Sequence, residues 1–161
     1  MEEPVKKYRR LYPGNEVRLM NAYFVTATGC EKDADGNVTV VHATYDPATK
    51  SGSGFDERKP KGTIHWVEAS QSVEATVRLY ENIIDEEKGV YNEDGSLNLN
   101  PNSLVEMKHA RLEPALADAE AYDSFQFVRN GYFCVDAKDS TPEKPVFNRI
   151  VSLKSSFKLP K

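Results

Sequence analysis

The chain has 161 residues, 29% of them charged and 39% hydrophobic, and carries a formal net charge of −4. That length allows one domain of generous size or two small ones, and the acidic balance excludes a general polyanion binder, so any nucleic-acid surface must be local. No apolar run is long enough to span a bilayer, and Met1-Glu2-Glu3 lacks the apolar stretch of a secretory signal. Cys30 and Cys134 stand far apart in apolar surroundings and read as reduced core thiols of a cytoplasmic protein.

The first ten residues are polar and end in the basic run Lys6-Lys7-Tyr8-Arg9-Arg10. A Pro13-Gly14 turn follows. A long strand is expected from Glu16 to Thr28; its alternation turns Val17 and Leu19 to a core and Arg18 and Met20 outward. The cluster Asp33-Ala34-Asp35-Gly36-Asn37 is a hairpin signal, with a return strand from Asn37 to Tyr45. Residues 46–61 hold Gly, Ser, Pro and charge and read as a mobile surface loop. Gly62–Val67 and Val73–Tyr80 read as strands. Residues 85–102, charged and then rich in Asn, Gly and Ser, read as a second mobile loop or a domain boundary. Ser103–Leu112 is the next strand and Pro114–Ala121 a short Ala-rich helix with Pro near its first turn. Ser124–Asp136 forms a hairpin with Asn130-Gly131 in a type I′ turn, and Lys144–Leu153 is the last strand. Strands and regularly spaced turns make the class all-β and barrel-like.

His42, His65 and His109 have no second ligand at metal spacing, and the cysteines are single, so no metal site is expected. There is no phosphate-binding G-x-x-x-x-G-K-[ST] loop and no G-x-S-x-G elbow. The chain therefore offers no catalytic constellation of its own. Its basic segment is different. Arginine forks pair with base edges and phosphates, and the interleaved tyrosine offers a stacking face, a combination suited to unpaired RNA. A solvated basic segment before an edge strand is the competing reading. Gln126, between Phe125 and Phe127, points away from both rings by the period of a strand. Its amide carries a donor and an acceptor and can read a base edge, although an exposed glutamine on a wet hairpin face is the commoner case.

Several blocks in one order carry a resemblance. They are Glu16-Val17-Arg18-Leu19-Met20-Asn21-Ala22-Tyr23, Gly62-Thr63-Ile64-His65-Trp66-Val67, Phe125-Gln126-Phe127 with Gly131-Tyr132-Phe133-Cys134-Val135-Asp136, and Glu143-Lys144-Pro145-Val146-Phe147-Asn148-Arg149. Over nearly its whole length the chain resembles the C-terminal anticodon-binding region of bacterial-type glutaminyl-tRNA synthetases. The resemblance implies two antiparallel β-barrels of the ribosomal protein L25-like anticodon-binding fold, the distal one inserted within the proximal one. Residues 1–80 then approximate the distal barrel. Residues 81–161 hold its remaining segment and the C-terminal strands of the proximal barrel, which is expected to be incomplete because its leading strands would precede this chain.

The family's RNA-contacting positions fall on particular residues here. Arg10 matches the arginine that reads the third anticodon base, a guanine; Arg9 stands where the family also carries lysine; Arg18 matches the arginine associated with the first base; Gln126 matches the glutamine that contacts the middle base, a uracil. Arg129 and Lys154 match basic positions near the tRNA backbone. Met20 departs from an arginine sometimes found in the family. The implied activity is ligation of glutamine to its tRNA, with ATP and magnesium used by a class I catalytic domain whose H-I-G-H-type and K-M-S-K-S-type segments are not in this sequence. This fragment would then hold no cofactor. Its partners would be tRNA and the catalytic domain of the same protein, acting as a monomer with no membrane. The same domain of a glutamyl-tRNA synthetase, a free-standing L25-like ribosomal-RNA binder and a protein-docking barrel are the rival readings.

Overall fold

The computed structural model describes residues 4, 8–85 and 87–153. The chain divides into two compact units, Met1–Trp66 and Val67–Lys161. Among the described residues the secondary structure is strands with two short 3-10 turns, in line with the all-β expectation.

The first unit is built on β1 (Glu16–Leu19), β2 (Phe24–Lys32), β3 (Val38–Asp46) and β4 (Thr63–Ile64), in the order β3-β2-β1-β4. The strand expected from Glu16 to Thr28 is in fact two strands. Asn21 takes φ 59°, the Ala22 N–H donates to Leu19 O at 2.9 Å, and the chain reverses so that Val17 pairs with Val25. Asparagine tolerates the left-handed region better than most residues. The apolar and aromatic residues on both sides of this turn read as one continuous strand, which hides the reversal from a reading along the sequence. β4 is shorter than the expected Gly62–Val67 strand and runs parallel to β1. His65 and Trp66 lie beyond it and are exposed rather than packed in an apolar strand. Val17, Phe24, Val25 and Ala27 form the buried apolar positions of this unit. Burying a Val or Phe side chain is worth about 1.5–3 kcal/mol.

Residues 46–61 contain no strand beyond Asp46, the last residue of β3, but the unit ties them down. Asp46 caps a 3-10 turn at Pro47–Thr49 by accepting from the Ala48 N–H. The Thr49 side chain is fully buried; its hydroxyl accepts from the Phe24 N–H at 2.8 Å and donates to Asp46 O at 2.6 Å. Arg58 pairs with Glu16 at 2.7 Å and Asp46 at 2.6 Å. Its guanidinium holds the Asp46 carboxyl below the usual carboxylate range. Phe55 meets Phe24 edge-on, with ring centroids 5.8 Å apart.

The second unit contains β5 (Val73–Tyr80), β6 (Leu104–Leu112), β7 (Ser124–Phe127), β8 (Gly131–Val135) and β9 (Val146–Ser152), ordered β6-β5-β9-β8-β7. Its core joins Ala75, Val77, Leu112, Phe133, Val135 and Phe147. Phe127 stacks on Phe133 with centroids 4.4 Å apart, so the alternation of β7 does send Phe125 and Phe127 inward. Residues 85–102 are an excursion held by isolated bridges Ile84–Leu99 and Tyr91–Leu97. The expected helix at Pro114–Ala121 is only a 3-10 turn at Pro114–Leu116. A run that short cannot repay helix nucleation, and Leu116 and Ala119 instead pack against the core.

Most pairings are antiparallel, but each sheet contains one parallel pair, β1 with β4 and β5 with β9. Neither sheet closes on itself among the described residues. The architecture is thus barrel-like and open.

Candidate nucleic-acid interface

The segment preceding β1 is irregular, and buried groups determine its path. Asn15 is 4% exposed. Its Oδ1 accepts from the Tyr12 N–H at 2.7 Å, while its Nδ2 donates to Arg10 O at 3.2 Å. One amide therefore clamps the backbone on both sides of Leu11. The Gly14 N–H donates to Ala27 O at 2.9 Å and ties the turn to β2. On the other side Gly62 passes directly against Arg9. A Cβ built on Gly62 would strike the Arg9 carbonyl oxygen, with Arg9 C and Cβ each 3.3 Å away. Only glycine permits that approach. The Gly62 carbonyl is itself fixed by the Arg18 N–H at 2.9 Å.

This scaffold presents Arg9 and Arg10 exposed. Among the described residues no carboxylate pairs with either guanidinium. Other arginines are engaged within their own unit: Arg58 with Glu16 and Asp46, Arg78 with Glu106, Asp136 and Asp139, Arg111 with Glu74, and Arg149 with Glu81. Arg18 is intermediate. Its guanidinium lies 4.3 Å from the Phe24 ring centroid and its Nη1 donates to Ser51 Oγ at 2.8 Å. Rather than facing outward, the side chain shares the face of its buried partner Phe24 and is held against the unit's own loop, so its orientation is fixed before any partner arrives.

In the second unit Gln126 and Arg129 share one hairpin. Gln126 is exposed and pairs across β7–β8 with Tyr132, which is also exposed. Directly opposed side chains in such a pair lie close enough to act together. Gln126 and Tyr132 thus occupy directly opposed positions on one face of the hairpin. The turn differs from the expected type I′ at Asn130-Gly131. Phe127 pairs with Gly131, the Asn130 N–H donates to Phe127 O at 2.8 Å, and the positive φ of 68° falls on Arg129, not Asn130. Gly131 is required because a Cβ there would lie 2.7 Å from Val151 O. The hydrogen-bonded turn spans Phe127–Asn130, two residues before its expected place, and Gly131 already pairs as the first residue of β8. Arg129 accordingly sits at the tip of the hairpin in a conformation uncommon for its type. Lys154 lies outside the described residues.

The sequence pattern assigns no role to Asn15, Tyr12, Lys61, Gly62 or Tyr132, although Gly62 and Tyr132 lie in the blocks that carry the family resemblance. The lysine sits in residues 46–61, whose composition hides it. Its signal was the Lys59-Pro60-Lys61-Gly62 string, whose glycine has no local turn to serve and so points to a close approach. Tyr132 was legible as the residue opposite Gln126 once the hairpin register was known. Among the described residues no three His, Cys, Asp or Glu side chains converge as metal ligands, and no helix is long and apolar enough to cross a membrane.

Comparison with known proteins gives a consistent result. Residues 3–46 match a family model described as the anti-codon binding domain of class I tRNA synthetases (E and Q), and residues 63–136 match a second model with the same description. The chain is 55% identical over 163 residues to a glutamine–tRNA ligase of Clostridioides difficile (strain 630), covering 98% of this chain and 29% of that protein. It is 52% identical to glutamine–tRNA ligases of Clostridium perfringens, over 99% of this chain and 29% of the relative, and of Ralstonia pickettii (strain 12J), over 97% and 27%. The chain therefore spans less than a third of the length of these curated relatives.

Proposed function

The chain belongs to the anticodon-binding domain family of the class I tRNA synthetases for glutamate and glutamine, and from that premise we propose that it recognises the anticodon loop of a glutamine tRNA on behalf of a glutamine–tRNA ligase. The observation that carries this reading is the contrast among the arginines. Arg9 and Arg10 are exposed with no carboxylate partner among the described residues, while Arg58, Arg78, Arg111 and Arg149 are ion-paired. Exposed unpaired guanidinia on a backbone clamped by Asn15 and Gly62 form a preorganised donor set for unpaired RNA. The glutamine enzyme is preferred to the glutamate enzyme because relatives at about half identity are glutamine–tRNA ligases.

In this reading Arg10 meets the two acceptors of the third anticodon base with its fork. Arg9 supplies charge beside it, Arg18 serves the first base in a fixed pose, and Gln126 pairs with the middle base alongside the Tyr132 ring. Arg129 and Lys154 supply charge to the backbone. The distal-barrel and proximal-barrel assignment of residues 1–80 and 81–161 belongs to the same proposal. In this reading ATP and magnesium act outside this chain, whose sequence holds no G-x-x-x-x-G-K-[ST] loop. We assign that chemistry, the joining of glutamine to tRNA, to the remainder of the protein, with which this domain acts.

Binding titrations with anticodon stem-loops test the reading. Arg10→Lys keeps the charge and removes the fork. It should erase the preference for guanine at the third position, worth roughly 1–3 kcal/mol for a bidentate pair. Full discrimination by Arg10→Lys would reduce Arg10 to a point charge and refute base reading by this residue.

A further inference from the structure

We propose that Lys61, steadied by Tyr12, is a phosphate anchor for the RNA backbone beside the Arg9–Arg10 segment; the proposal rests on the anticodon-binding reading and extends its surface to a part of the chain that nothing else assigns. Two independent observations carry it. The first is position. Gly62 packs against the Arg9 backbone so closely that no side chain fits between them, and this brings Lys61 next to the arginine segment across a long stretch of sequence. The second is chemistry. Lys61 Nζ lies 3.1 Å from the Tyr12 hydroxyl and 5.8 Å from the Tyr12 ring centroid.

An ammonium has three donors and no acceptor. One donor is used on the Tyr12 oxygen, and the phenol's own O–H is then turned away from the lysine. The pair offers two ammonium N–H donors, one phenol O–H donor and a positive charge. Among the described residues no carboxylate pairs with Lys61. That contrasts with Lys88, which pairs with Asp85 at 3.0 Å. A group rich in donors, cationic and lacking an acid partner complements a phosphodiester. Holding a lysine by a hydroxyl limits its rotamer freedom without neutralising its charge. The Tyr8 ring, its centroid 6.3 Å from that of Tyr12, extends the aromatic surface. Because phosphate contacts position an RNA without reading it, Lys61 contributes affinity and register, while Arg10 supplies base preference.

The test is a salt series of binding titrations on the unaltered chain and on Lys61→Gln, Lys61→Arg, Tyr12→Phe and Arg10→Ala. Each is titrated with the cognate stem-loop and with one changed at the third anticodon base, and circular-dichroism melting confirms that each variant folds. Lys61→Gln should weaken both RNAs by the same factor, roughly fivefold, and lower the slope of log affinity against log salt by about 0.7. Lys61→Arg should restore both quantities, and Tyr12→Phe should weaken both RNAs by a smaller equal factor. If Lys61→Gln leaves affinity and slope unchanged while Arg10→Ala loses base preference, the anchor is refuted and the anticodon reading stands. If the unaltered chain shows no anticodon preference at all, the functional reading falls and the anchor with it.

Discussion

Gly62 is where the fold and the proposed recognition depend on one another, so Gly62→Ala is the most informative single change. The new methyl has no rotamer to escape into. It is built onto backbone and meets backbone, the Arg9 carbonyl, with Arg9 C and Cβ at 3.3 Å. Non-bonded heavy atoms rest at about 3.5–4.0 Å, so relief of the clash needs a displacement on the order of 1 Å. Gly62 cannot supply it easily, because its carbonyl is bonded by the Arg18 N–H and the next residues form β4 beside β1. The Arg9–Arg10 segment must move instead, against the Asn15 clamp at Arg10 O. Overpacking of this kind costs about 1–3 kcal/mol. The apolar core of Val17, Phe24, Val25 and Ala27 is not touched, so the unit should still fold with a lowered melting temperature. Stem-loop titration should show third-base discrimination reduced by most of the roughly 1–3 kcal/mol that a bidentate pair supplies. Lys61 moves relative to Arg9 in the same substitution, and overall affinity should fall as well. Unchanged melting with full discrimination would show that the segment does not depend on this contact, and the argument from Gly62 to Arg10 would be refuted.

Other outcomes follow from the same structure. Asn15→Ala removes both bonds of the buried amide and should destabilise the first unit by about 1–3 kcal/mol; third-base discrimination should fall more than affinity for the substituted loop, as measured by paired titrations. Thr49→Val keeps the shape and deletes a hydroxyl that serves Phe24 N–H and Asp46 O, so amide exchange at Phe24 should accelerate markedly. In the unaltered chain, exchange at Phe24 and Ser51 should be slow despite the polar composition of residues 46–61. Fast exchange there would restore the picture of a mobile loop. Asp136 accepts from the Asp139 and Lys138 N–H groups and from Asn148 Nδ2, contacts that hold its carboxyl below the usual range. A depressed carboxyl contributes stability in full above its unfolded value of about 4 and loses it as pH falls through the folded value. Asp136→Asn should therefore flatten the acid limb of the melting-temperature profile below about pH 4 and leave its shape above that unchanged. Tyr132→Ala should weaken stem-loop binding without altering the preference at the third base.

What the sequence determined by itself was local. Alternation placed Val73–Tyr80 and the β7–β8 arms correctly, because a strand with one buried face must repeat every two residues. Asp35-Gly36 located its turn, since Gly36 takes the positive φ of 83° that the hairpin loop needs. The ordered short blocks located the family, and the basic run located the exposed arginines. Where two local rules overlapped, the sequence misled. Asn21 reverses the chain between apolar runs that read as one strand, and the second hairpin turns at Val128-Arg129 rather than at Asn130-Gly131, with Gly131 passing close to Val151 on β9.

The tertiary structure alone decided which charges are available. Arg58 and Arg78 look no different from Arg10 in a sequence, yet each meets carboxylates from distant segments, while Arg9 and Arg10 meet none among the described residues. It also decided that a loop of loose composition is pinned at Thr49, Phe55 and Arg58, and that Lys61 stands beside Arg9. Period and turn chemistry are properties of neighbouring residues and can be read along the chain. Ion pairing, burial of a hydroxyl and the approach of two backbones are properties of pairs that only folding brings together.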